Sequence, residues 1–408
     1  MEIVKKIQEM QQEMMRWRQK LHTHPELAFE ERETMRYLQR QLQSFGVDEI
    51  HPLAKTGVIG VLHGKNGPAS ATGGKTIMLH AAMDALPINE ESGVIHTSGT
   101  PGVHHACGHD GHMAMLLGAA KYLAQSKDDF DGTILFVFQP AEEHLDGAQE
   151  MLNEGLLKKF PCDEIYGLHS YPWLPLGTMA SETGQMLAAS DEFHVTFSGT
   201  GGHMPHPETT TNLAGALAEA VSAMNAMLQK EIPAGAPTSM VVSSIRTDSE
   251  AADVISSTVH LKGCIRGYDQ ALHDKLKQNL EQIVQEAADK YGATVTVEFK
   301  NEYLSLVNSP AETSLALDAA REVVGDEKTE SSVPRTLNVT DFARFLLGKP
   351  GNFMALGTGR PDGKESPSLH SAKYDFNDAA LPIGASYWVK LVEKALPPAS
   401  KRPDAPQP

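Results

Sequence analysis

The chain has 408 residues, beyond the roughly 250–300 at which a single hydrophobic core stops growing, so two domains are expected. Hydrophobic content of 41% and charged content of 21% are ordinary for a soluble globular protein, and a formal net charge of -17 argues against nucleic acid or an anionic membrane as partner. Cys107, Cys162 and Cys264 are too few and too scattered for a disulfide framework, no stretch approaches the roughly 18 apolar residues of a membrane span, and the charged N-terminus lacks the apolar core of a signal peptide, so a cytoplasmic location is expected.

In chain order, residues 2–22 and 31–45 carry apolar residues at helical spacing and read as surface helices. The short apolar runs at 57–63 (GVIGVLH) and 76–79 (TIML) read as strands, residues 113–123 as an Ala/Leu/Met-rich helix, and 132–139 (GTILFVFQ) as a fully apolar strand. In open α/β sheets, ligands bind beyond the carboxyl ends of the strands. Asp84 follows the TIML run, Glu142 and Glu143 follow ILFVFQP, and His169 follows the apolar run EIYGL, so three strand ends are expected to converge.

A second compositional unit begins near Ala188. Residues 192–198 alternate as a strand, GTGGHMPHP is a Gly/Pro/His turn, 212–228 and 272–291 read as helices, and 239–245, 257–265 and 293–299 as strands. The sequence then returns to the first domain with helices at 311–324 and 341–347, and a strand and turn, GNFMALGTG, leading to the segment that holds His370. The expected division is a discontinuous domain, 1–187 and 301–397, an inserted α+β domain, 188–300, and a polar, Pro-rich disordered tail, 398–408.

The chemistry concentrates in the unbroken string Cys107-Gly108-His109-Asp110-Gly111-His112, followed by the doubled carboxylate Glu142-Glu143, then His169 and His370. A lone Cys is usually a small buried hydrophobe and a lone His a satisfied polar group. Together, a thiol, several imidazoles and paired carboxylates are the ingredients of a divalent-metal site with its own general base. His104 and His105 read as loop polars, His112 as a packing residue or hydrogen-bond partner of a ligand, and His22 and His24 as structural residues at a helix-ending turn.

The strings HTHPEL at 22–27, MDALP at 83–87, CGHDGH at 107–112, QPAEE at 139–143, GLH at 167–169, GGH at 201–203 and LHSAKYDFND at 369–378 resemble the M20 metallopeptidase family, and within it the aminoacylase, hippurate hydrolase and auxin-conjugate amidohydrolase branch. The similarity spans nearly all of residues 15–395. It implies an α/β fold: a zinc-hydrolase-like catalytic domain with a mixed central sheet flanked by helices, and an inserted α+β lid that also makes a homodimer or a higher homo-oligomer. Position by position, it implies Cys107, His109, Glu143, His169 and His370 as ligands of two divalent ions, Zn²⁺ foremost, with Mn²⁺, Co²⁺ and Ni²⁺ open. It further implies Glu142 as general base, Asp84 as support for a ligand, and His203 as a lid donor to the scissile carbonyl.

The implied reaction is hydrolysis of a small N-acyl-L-amino acid to a carboxylate and a free amino acid; a dipeptidase or carboxypeptidase is the alternative within enzymes. The sequence departs from the family pattern at Ala82, where an Asp is usual before Met83-Asp84, at Asp253-Val254-Ile255-Ser256 in place of an NVIP string, and at Val339-Thr340-Asp341-Phe342 in place of Ser-Glu-Asp-Phe. Ala82 alone suggests a degenerate, non-catalytic metal-binding or scaffold protein, and retention of Glu142 with every aligned ligand disfavours that reading.

Overall fold

The apolar runs of the first half become strands covered on both faces. In a computed structural model describing residues 1–69, 74–144, 147–360 and 365–398, the chain divides into two units. The first comprises Met1–Met186, Val307–Pro334 and the chain from Thr340 on; the second comprises Leu187–Leu306 and Arg335–Val339. The short return of Arg335–Val339 to the second unit has no signal in the hydrophobic pattern. The expected tail lies outside the described residues from 399 on.

In the first unit, helices α1 (Lys5–Glu9), α2 (Gln11–His22) and α3 (Arg32–Phe45) precede strands β1 (Glu49–Leu53), β2 (Gly57–His63) and β3 (Thr76–Ala82). Helix α4 (His109–Ala124), β4 (Thr133–Gln139), β5 (Glu164–Tyr171) and the short β6 (Met179–Ala180) follow. After the second unit's main span come α5 (Pro310–Val324), β7 (Thr329–Glu330), β8 (Gly351–Gly357) and α6 (Leu381–Ala395). The sheet runs β1-β2-β4-β3-β5-β8-β6-β7. Its centre, β4-β3-β5-β8, is parallel, with antiparallel β1 and β2 at one edge.

Side chains alternate across a strand. Ile77, Leu79 and Ala81 of β3 and Ile134, Phe136 and Phe138 of β4 therefore join one core with α2, α4, α5 and α6. The opposite set, including Met78, Leu135 and Val137, is equally buried, as expected of a parallel sheet with both faces covered. Helix α6 is absent from the sequence reading because its first half, residues 381–389, carries no charged residue, its charged side being confined to Lys390, Glu393 and Lys394. Conversely, the helix expected at 341–347 shrinks to the single turn Ala343–Leu346.

The second unit holds a four-stranded antiparallel sheet, in the order Thr238–Thr247, Thr258–Gly267, Ala189–Ser198 and Thr294–Tyr303. One face carries the core, with Phe193, Val195, Phe197, Leu261 and Ile265 packed against Leu276, Leu280 and Val284 of the helix Gln270–Tyr291. The strict alternation of buried and half-buried residues along Thr258–Gly267 is that of a sheet with one covered face. Asn212 and Asp269 cap its two helices by accepting the amides of Gly215 and Leu272.

Candidate metal centre

Every sequence-selected donor of the first unit arrives at the carboxyl end of the parallel strands. Asp84 lies two residues past β3, Glu142 and Glu143 follow β4 after the Pro140-Ala141 turn, and His169 lies within β5 near its end rather than beyond it. The expected helix at 113–123 begins four residues earlier, so His109 is its first residue and Cys107 sits in the turn before it. Gly108 between them has φ +83°, and a Cβ there would stand 2.8 Å from both Ser170 Oγ and Tyr374 Oη, so glycine is required. Reciprocal backbone bonds between Leu86 and His104, and the His370 amide on the Ala106 carbonyl, hold the turn from two sides.

The Glu142-Glu143 turn is held as firmly. Ala141 adopts φ +52°, and its amide donates to the buried Glu31 carboxylate at 2.8 Å. The Asp84 carboxylate accepts the amides of Glu142 and Glu143, each at 3.0 Å. Its backbone carbonyl accepts from His109 Nδ1 at 2.8 Å, which leaves His109 Nε2 facing the carboxylates. His169 follows the same rule: Nδ1 donates to the Ser170 carbonyl at 2.9 Å, and Nε2 lies 3.4 Å from Cys107 Sγ.

Two donor triads meet at one sulfur. Cys107, His109 and His169 form one, and Cys107, Glu143 and His370 the other; within each, the candidate ligand atoms lie within 4.8 Å of one another. His370 Nε2 stands 3.3 Å from Cys107 Sγ and 3.3 Å from Glu143 Oε1. His109 Nε2 and Glu143 Oε1 are buried and have no hydrogen-bond partner, a cost that a coordinated cation removes. The thiol, imidazole and carboxylate set suits a borderline ion such as Zn²⁺.

The electrostatics agree with that fit. Burial pushes the Cys107 thiol well up, with Glu143 and Glu142 adding to the shift, so the thiolate needs a cation beside it. Burial, then the charges of Asp341 and Glu143, raises the Glu142 carboxyl well above the ordinary range. Glu143 goes the other way: burial opposes its charge, yet His370 and His109 hold it down at about 2. Burial also works against a charged His109, but Asp84, Glu143 and Glu142 carry it up to about 10, the value of an imidazole whose proton a cation would displace.

Several residues that shape this centre were not legible in the motifs. Thr340 Oγ1 donates to Glu142 Oε1 at 2.8 Å. Gln139 donates to both oxygens of Asp341, at 2.8 Å each, and accepts from His80 Nε2 at 2.7 Å, a buried relay on the face of β3 that also carries Ala82. Arg18, 1% exposed, binds Asp375 and Asp378 and so ties α2 to the segment after His370. His104 and His105 are buried rather than loop polars, whereas His112 packs its ring on that of His169 and accepts the amide of the next residue, Ser170, at 3.0 Å. His203 belongs to the second unit, exposed on a two-residue strand paired with Val254–Ile255.

A mixed α/β sheet with thiol, imidazole and carboxylate donors gathered where its parallel strands end defines a metal-dependent hydrolase. The model of peptidase family M20/M25/M40 matches residues 78–394, and the chain belongs to that family. It is 32% identical to the putative amidohydrolase YhaA of Bacillus subtilis over 93% of this chain and 94% of that protein. It is 35% identical to an N-acyl-L-amino acid amidohydrolase of Geobacillus stearothermophilus over 75% of this chain and 81% of that one. Among crystal structures, the Bacillus subtilis YXEP protein, a dinuclear metal-binding peptidase of the M20 family, superposes with a TM-score of 0.76 at 26% identity, covering 94% of this chain and 98% of that one.

Proposed function

We propose that this protein is a dinuclear metal amidohydrolase that cleaves the amide of N-acyl-L-amino acids to a carboxylate and a free amino acid. The observation that carries the reading is the sharing of Cys107 between two donor triads, with Glu142 beside them, within reach of His109 and Glu143 and hydrogen-bonded by Thr340. We assign Cys107, His109, Glu143, His169 and His370 as ligands, Zn²⁺ as the first candidate ion, with Mn²⁺, Co²⁺ and Ni²⁺ as alternatives, and Asp84 as the residue that orients His109 and the Glu142-Glu143 turn.

Bound divalent ions supply Lewis acidity, polarising the carbonyl and making water acidic near neutral pH. Glu142 takes the proton of the attacking water and hands it to the departing amine, a role suited to a carboxyl whose proton affinity is raised by burial, Asp341 and Glu143. Glu143, held ionised by His370 and His109, is matched to binding rather than proton transfer. Adjacent carboxylates thereby divide two tasks by environment alone.

The second unit we assign as lid and dimerisation domain, with His203 as donor to the developing oxyanion. Its edge strand Thr238–Thr247 exposes Val241 and Ile245, apolar residues that a homodimer contact would cover. A cytoplasmic setting suits an enzyme whose cysteines are all free, and no helix among the described residues is long and apolar enough to cross a membrane. The reading is tested by amine release from N-acetyl and N-benzoyl amino acids and from dipeptides, before and after metal removal. Metal-dependent release from the acylated amino acids supports it; faster cleavage of dipeptides makes the protein a peptidase, and no release from any substrate under any metal makes it a binding protein.

A further inference from the structure

A second cluster of metal-ligating side chains lies in the first unit outside the centre described above. His22 at the end of α2, Glu90 and His104 bring candidate ligand atoms within 4.8 Å of one another. His22 and His104 are wholly buried, and the Glu90 side chain is 3% exposed. His22 Nδ1 donates to Asp110 Oδ2 at 2.7 Å, and its Nε2 faces Glu90 Oε1 at 3.1 Å, a contact that either a proton or a cation can bridge. His104 Nε2 donates to the Tyr374 carbonyl at 3.1 Å, so its Nδ1 carries the lone pair.

That lone pair has no hydrogen-bond partner and lies 3.5 Å from Glu90 Oε2. Two electron-rich atoms facing each other in a buried site repel unless something positive stands between them. Each histidine is also oriented as metal-bound histidines are, with its second nitrogen anchored on a carboxylate or a backbone carbonyl. Glu90 is itself fixed by the Ser98 amide and the Ser92 hydroxyl. Burial lowers the proton affinity of His104 and outweighs the opposing pull of Glu90, with His22 adding to the lowering, which disfavours a second proton as the positive group.

We infer that His22, Glu90 and His104 form a further divalent-cation site, of the His₂-carboxylate type that takes Zn²⁺ or Co²⁺. His104 is bridged to Leu86 and lies three residues before Cys107, so an ion here braces the Cys107 turn against α2. An open cavity lined by Ser92, Val94, His96 and Tyr374 lies beside the cluster, with the His96 ring 5.4 Å from that of His22. Arg18, 3.6 Å from Asp110, opposes a cation, and its charge is met by Asp110, Asp375 and Asp378.

The test counts Co²⁺ ions per chain by native mass spectrometry on the reconstituted full-length protein, while absorption of the thiolate-to-Co²⁺ charge-transfer band reports separately on Cys107. Glu90→Gln and His104→Gln should each bind one ion fewer than the wild type and keep the full band. An unchanged ion count in both variants overturns the inference and leaves a proton on His22 as the neutralising group. Loss of the Cys107 band in both variants also overturns it, making the cluster a structural support of the main centre. Because the readout is ion count and not turnover, its failure is distinguishable from failure of the proposed activity.

Discussion

The Thr340 hydroxyl donates to Oε1 of Glu142 across 2.8 Å, from a residue 198 positions later in the chain. A hydrogen bond to the ionised form of a carboxyl lowers its proton affinity, so Thr340 moderates a group that burial and neighbouring charges push upward. Thr340→Val should therefore raise the Glu142 pKa and move the acidic limb of the kcat/KM profile to higher pH. Turnover should fall by about 10-fold or more, as expected for a hydrogen bond to a charged group. Thr340→Ser should restore both, and an unmoved acidic limb in the valine variant would remove Thr340 from the mechanism.

Cys107 is shared by both donor triads, so Cys107→Ala should lower metal content directly and abolish high-affinity loading. Full stoichiometric metal in that variant would overturn the ligand assignment.

Ala82 is buried at the end of β3, opposite Gln139 in the sheet register. Ala82→Asp adds a carboxylate near the proposed cations, where opposite charge favours its ionised form and should tighten metal retention against a chelator. Unchanged or weaker retention would mean that the neighbouring relay through Gln139 and Asp341 has rebuilt the pocket around the small residue.

In chelator-treated protein, His22 should contribute a pH-dependent share of stability. Burial opposes its charge, but Asp110 and Glu90 raise its pKa to about 9. The raised value means that this contribution is fully present below the ordinary histidine value of roughly 6.5 and is lost as pH rises through about 9. The Tm of the metal-free wild type should fall across that window more steeply than that of His22→Gln. Parallel curves would contradict the assignment.

If His203 acts from the lid of a partner subunit, two inactive variants should rescue each other. Mixing His203→Ala with Glu142→Ala protein under subunit exchange should recover up to about a quarter of wild-type activity, since random pairing makes about half the dimers mixed, each with one complete site of two. Verified exchange without recovery would place His203 outside the partner's site.

Much of this architecture is written in short-range patterns. The strands at 57–63 and 132–139 fall within a residue of expectation because strands buried on both faces are continuous apolar runs. The donors at 107, 109, 142, 143, 169 and 370 meet, with Asp84 supporting them, because strand ends and one tight turn deliver them. Helix α6 stayed hidden because its charged residues are confined to its last turns, leaving the apolar run at 381–389 without a polar face to mark it. Thr340, Glu31 and Arg18 were equally hidden, since they act through contacts 25 to 360 residues away in the chain, which no local pattern encodes. His104 and His105 misled for the opposite reason: polar residues beside a Gly/Pro-rich stretch look like surface loop, and tertiary packing buried them.

The central claim, a metal centre with its own general base, is tested most directly by measuring metal content and turnover together in Glu142→Ala. The account predicts metal content equal to that of the wild type and turnover on an N-acyl amino acid lower by roughly 10²–10⁴-fold, the usual contribution of a general base. Metal loss in proportion to lost activity would make Glu142 a ligand, and activity retained at the wild-type level would contradict the account altogether.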